Sequence, residues 1–171
     1  ASETVINNES IDVDFRVEGD GNANTFVVEA EHDTVILGHG VKRETFYNST
    51  YGAQLQIENF ASVANYIGIA TTTNSNDANG GYIVMGKSRG TAGNNTTLVH
   101  NADFFGSLSF QGGDGNQLVE GASIAAQVDG TPGANDMPGS LQFRTTADGA
   151  STVTEHMRIG HTGMVSMRTT A

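Results

Sequence analysis

Cysteine and tryptophan are absent from this 171-residue chain, proline occurs only 2 times, and 8 basic residues stand against 19 acidic ones. Each shortage closes off a class. Without cysteine there is no disulfide framework and no thiolate zinc site; the redox compartment stays open, because an extracellular protein can do without disulfides. A net charge of -11 is the reverse of what phosphate neutralisation requires, so nucleic acid is not expected as a partner. An anionic membrane surface is disfavoured for the same reason. No apolar run approaches the length of a membrane span, so no membrane insertion is expected. The opening "ASETVINNES" is polar and lacks the basic start and apolar core of a signal peptide. Having no initiator Met, the chain reads as a piece of something longer or as a processed product.

What is plentiful is glycine, at 22 residues, while apolar residues make up a low 37%. Acidity is uneven: residues 1–44 hold ten acids and three bases, residues 45–171 nine and five. The ordinary meaning of that charge is a self-repelling, soluble surface.

Strand signals dominate. In "SIDVDFRVEG", Ile11, Val13, Phe15 and Val17 alternate with Asp12, Asp14, Arg16 and Glu18, the period of a half-buried strand. "DGNAN" follows as a turn, then "TFVVEAE", a turn at "HD", and "TVILG". Residues 5–40 thus read as a three-stranded meander, and 1–44 as an N-terminal β-meander module. Residues 45–171 form a second β-rich module. In it, "AQLQIENFASVANYIGIATT" reads as two strands with a bend, a short helix being the alternative, since Gly68 and the Thr run disfavour a long helix. "YIVMG", "TLVH", "FFGSLSFQG", "ASIAAQVDG", "GSLQFRTT" and "EHMRIG" read as strands, with "TGMVSM" after them and turns between. The class is all-β, with short strands and Gly/Asn/Asp turns. So many short strands with so few apolar residues leave edges and faces that one chain struggles to cover, which predicts a homo-oligomer sharing its core.

Candidate chemistry is thin. Asp20, Asn22 and Asn24 alternate and Glu31 falls twelfth, as in a calcium loop, but Thr25 stands where the loop needs glycine and the flanks are strands. An ordinary β-turn is the preferred reading of the stretch. Among the histidines, His39 and His161, each beside glycine, are the ones to watch for a site shared about a threefold axis; the ordinary reading is a surface imidazole. A structural cation is the one bound group to look for; no cofactor and no metal are expected. There is no nucleophile elbow, and no carboxylate pair stands out among the acids for glycoside cleavage, so no catalytic residue is assigned and no enzyme is expected. Lys87 and Arg89 in "KSRG" read as partners for acids. In "PGSLQFRTTADGASTVTEHMRIGHTGMV", Arg144, Asp148, Glu155, His156 and Arg158 read as ion-paired polar faces around a turn, with Leu141, Phe143, Met157 and Ile159 facing a shared core. For contact with a binding partner the candidates are Tyr47 and Tyr51 in "FYNSTYG", where ordinary strand-edge packing is the favoured alternative, and Asn74, Asn76, Asp77 and Asn79 in a polar loop, since exposed loops carry recognition and aromatic rings stack on sugars.

The run "VINNESIDVDFRVEGDGNANTFVVEAEHDTVILGHG", followed by "MGKSRG", "ADFFGSLSFQGGDG", "IAAQVDGTPGANDMPGSLQF", "TTADGA" and "EHMRIG", resembles modules of phage tail fibres and related virion appendages. The likeness covers nearly the whole chain and is most specific from Val128 to Asp148. It departs at His156, where such modules often carry Arg, and at the module ends "LGHG" and "VSM". The resemblance implies an intertwined homotrimeric β-structure built of β-prism, β-helix or sandwich-like modules. It implies a place on the virion tail, outside the cell, other tail proteins as neighbours, and a host surface polysaccharide or protein receptor as partner. A head-fibre or decoration protein and a small capsule-depolymerising tailspike are the alternatives.

Overall fold

In this computed structural model, residues 14–20, 22–40, 42–43, 45–46, 52–58, 68–93 and 95–168 are described. They form two units, Ala1–Gly81 and Tyr82–Ala171. Each contains one β-sheet, and no helix occurs among the described residues.

The first sheet runs β1 (Phe15–Val17), β2 (Phe26–Glu29), β3 (Thr34–Leu37) and β4 (Leu55–Ile57), in that order. β1 to β3 are the expected antiparallel meander. The turn after β1 is closed by Gly19 N–H to Asn22 C=O at 2.7 Å. The turn after β2 places Asp33 at φ 53, a left-handed conformation that Asp tolerates. β4 then joins β3 in parallel, so the sheet extends beyond the meander.

Register fixes which residues share a face, because directly paired residues point the same way. Phe15, Val28, Val35 and Leu55 form one row across all four strands. Val17, Phe26, Leu37 and Ile57 form the next, with the Phe15 and Phe26 rings edge-on at 6.1 Å. This apolar face is open: Phe15, Val17, Leu55 and Ile57 are all exposed. The opposite face carries Arg16, Val27, Thr34, Ile36 and Gln56, and there Val27, Thr34, Ile36 and Gln56 are buried. Gln56 clamps the strand-like segment at Arg43, accepting its N–H at 2.8 Å and donating to its C=O at 3.0 Å. The Arg43 guanidinium pairs with Glu58.

The second sheet is an antiparallel meander of β5 (Phe104–Gly113), β6 (Leu118–Val128), β7 (Gly139–Thr146), β8 (Val153–Ile159) and β9 (Val165–Met167). β5 to β8 coincide with strands expected from the sequence, whereas β9 lies in "TGMVSM", where no strand was expected. Leu108, Ile124, Phe143, Met157 and Met167 make one apolar row; Gly106, Ala126, Leu141, Ile159 and Val165 make its neighbour. Neither row contains a charge, and Leu108, Phe110, Leu141, Val165 and Met167 are exposed. The other face is polar yet covered: Ser123, Ala125, Ser140 and Gln142 are buried beneath longer neighbours. Gln142 donates to Gln127 at 2.7 Å there. In each sheet the chain itself closes one face, mixed polar and apolar in the first sheet and mainly polar in the second, and much of the apolar face stays exposed.

Two expected strands are corrected. "YIVMG", residues 82–86, and "TLVH", residues 97–100, carry no strand pairing among the described residues. Alternation specifies an extended chain, but a strand also needs a partner edge, and these segments have none here. Val99 is nevertheless a core residue, 3% exposed. Of the stretch read as two strands with a bend, the first is β4; residues 59–67 lie outside the described residues.

Candidate functional site

The strongest convergence of charged groups lies where β6, β7 and β8 meet the turn after β8. Arg158 projects from β8 on the polar face, opposite Gln142. Its guanidinium donates to Glu155 at 2.7 Å, to Asp129 at 3.3 Å and to the Ser140 hydroxyl at 3.3 Å. A register shift between Phe143 and Arg144 is what brings Glu155 and Arg158 to the same face. Asp129, at the end of β6, also accepts the His161 backbone N–H at 3.1 Å and faces His161 Nδ1 at 3.1 Å. The His161 donors and the nearby Arg158 hold the Asp129 carboxyl below its ordinary pKa. Hydrogen bonding from Arg158 does the same for Glu155. Arg168 reaches Glu155 at 4.0 Å. Arg144 instead lies over the Phe104 ring at 5.1 Å. Asp148 is exposed in the β7–β8 turn. These contacts tie β7, β8 and the segment after β6 together as a paired scaffold.

A second clamp lies outside the sheet. Arg89 holds Asp103 through two bonds of 2.6 Å, and Asp103 also accepts the His100 N–H at 2.9 Å. Those contacts, Arg89 foremost, push the Asp103 carboxyl far below the usual carboxylate range. Lys87 donates to the Ser88 C=O at 2.7 Å. The pairing expected of "KSRG" is thus found at Arg89; its partner Asp103, fourteen residues on, carried no local signal in the sequence.

The receptor-contact candidates divide. Tyr47 and Tyr51 lie outside the described residues. Asn74, Asn76, Asp77 and Asn79 sit together on one exposed loop. The Asn79 N–H donates to Asp77 at 2.9 Å, and this bond, with side-chain hydrogen bonds from Ser75 and Asn79, lowers the Asp77 carboxyl's pKa; the Asp77 N–H in turn donates to the Ser75 hydroxyl at 3.3 Å, which shapes the loop.

The calcium-like spacing does not converge. Asn22 donates to the Gly38 C=O at 3.0 Å and accepts the Asn24 N–H at 2.8 Å, so it serves the turn, while Asp20 is exposed. His39 is half-buried beside Gly38 and Gly40, and His161 is the Asp129 partner just described. Among the described residues, three side chains that could hold a metal ion, with ligand atoms within 4.8 Å of one another, lie elsewhere: Glu29, Glu31 and His32, around the β2–β3 turn. There His32 Nδ1 bonds Glu29 at 2.9 Å, an arrangement that raises the imidazole's pKa. Sequence spacing pointed to Glu31 but not to its pairing with Glu29 and His32, which depends on the tightness of the turn.

These features define an all-β protein with two sheets, each with one largely exposed apolar face. The fold is similar to the carboxy-terminal domain of the bacteriophage T5 L-shaped tail fibre, with a TM-score of 0.55 and 12% sequence identity over 85% of this chain and 59% of that one. At that identity the likeness is one of fold, and this chain spans less than two thirds of that structure. No protein-family model and no curated relative matches the sequence.

Proposed function

We propose that this chain is a structural virion protein, a segment of a phage tail fibre that assembles as a homotrimer and serves attachment to the host cell. The observation that carries the reading is the fold likeness to a tail-fibre domain across 85% of the chain. The trimer is supported by the open apolar faces of both sheets. The protein works by binding and not by catalysis, without a cofactor; its neighbours are other tail proteins, and its ligand is a host surface polysaccharide or protein receptor. The loop bearing Asn74, Asn76, Asp77 and Asn79, exposed and held in shape by its own Asx contacts, is the receptor-facing element.

Antibodies against the chain, applied to intact particles, test this. Labelling of the tail together with blocked adsorption is the expected result. Labelling of the head would make it a decoration protein, and shortening of host capsule polymer by the purified chain would make it a depolymerase.

A further inference from the structure

Residues 82–85, Tyr-Ile-Val-Met, are four consecutive apolar side chains with no strand partner among the described residues. Ile83 and Met85 point to their own sheet: with Gly106, Leu108, Ile124, Ala126 and other residues they line an apolar groove. Met85 fits because position 106 is glycine; a Cβ there would come within 2.7 Å of the Met85 Cβ. Alternation then turns Tyr82 and Val84 the other way. They are 78% and 86% exposed, high for residues of their size in an ordered segment.

We infer that Tyr82 and Val84 are interface residues that dock on a second copy of this chain, making the strap a layer between its own sheet and its neighbour's. The inference rests on the homotrimer reading and says which segment the copies share. Two observations favour a second copy as the occupant. The strap and the two apolar rows beside it carry no charge, so they are where chains of net charge -11 approach one another at least cost. The two rows of the second sheet, partly exposed beside the strap, are apolar across all five strands, a surface complementary to another apolar surface and to little else on this acidic chain.

The test compares the full chain with Val84→Asp and, as a control for added charge, Asn116→Asp in an exposed turn. Light-scattering mass of the unaltered chain decides the trimer reading by itself: a monomer overturns both. If the unaltered chain assembles, Val84→Asp is expected to weaken assembly by roughly a hundredfold or more, a charge in a dry interface being that costly, while Asn116→Asp leaves it unchanged. A trimer of undiminished stability in Val84→Asp would overturn the strap's role and leave the trimer standing. Because the chain has no cysteine, Val84→Cys gives a second readout that needs no loss of assembly. Its thiol should react at least about tenfold more slowly in the assembled protein than after urea unfolding; equal rates would reject the inference.

Discussion

Asp129 and Arg158 show how single polar residues hold the second sheet. Arg158 reaches acceptors on three separate elements, Glu155, Asp129 and Ser140. Only a planar guanidinium with several fixed donors can do that. Arg158→Ala should therefore destabilise the unit by about 1–3 kcal/mol, the range for hydrogen bonds to charged groups. Arg158→Lys should recover only part of it, because an ammonium meets one acceptor well. Urea denaturation of the two variants side by side measures the difference. At Asp103, the Arg89 and His100 contacts depress the folded-state pKa below the unfolded one. A depressed carboxylate contributes stability above the unfolded value, and that contribution drains away as pH falls below the ordinary carboxylate range. Thermal melts across acid pH should show Asp103→Asn to be less stable than the unaltered chain near neutrality. The gap should shrink as the pH drops.

At the scale of elements, the contact between the strap and β5 makes a sharp claim about Gly106. A methyl group there would meet the Met85 Cβ at 2.7 Å and its Sδ at 2.9 Å. Gly106→Ala should cost about 1–3 kcal/mol as an overpacked site. In a Met85→Gly background the same change should cost much less, since the clashing atoms are gone; a thermal double-mutant cycle reads the coupling. The same region shows where the sequence was legible. β1 to β3 and β5 to β8 were readable because alternation is local and glycine or Asp/Asn turns bound it; Asn135, at φ 57 in the hairpin after β6, is such a turn residue. Residues 82–86 are a short apolar run that suits a strand, yet they have no strand partner among the described residues, because pairing depends on a distant edge that local pattern does not encode. The parallel addition of β4 to β3 was hidden for the same reason. Of the polar network, Glu155 and Arg158 were visible as near neighbours, whereas Asp129 and Asp103 join their arginines only through folding. The receptor loop was legible as a loop, but nothing in composition indicates what it touches.

At the scale of the whole molecule, burial and charge pull in opposite directions, and salt separates them. The apolar rows and the strap gain by being covered, a contribution set by area and little affected by ionic strength at moderate salt. Net charge does the reverse: each copy brings -11, so assembly gathers like charge that water and ions must screen. The Debye length shortens from about 30 Å at 0.01 M salt to about 8 Å at 0.15 M, from the span of a small domain to less than the distance between packed sheets. If the copies share their apolar faces, raising salt over that range should strengthen assembly and raise the melting temperature. The melting temperature should also climb with protein concentration, because unfolding then releases separate chains. A monomer whose open faces stay wet would show a melting temperature independent of concentration. Calorimetry at two protein concentrations in each of two salts distinguishes these behaviours. It also separates screening from interface loss: Val84→Asp should lower the melting temperature in both salts, and by more in the lower one, where the added carboxylate is least screened.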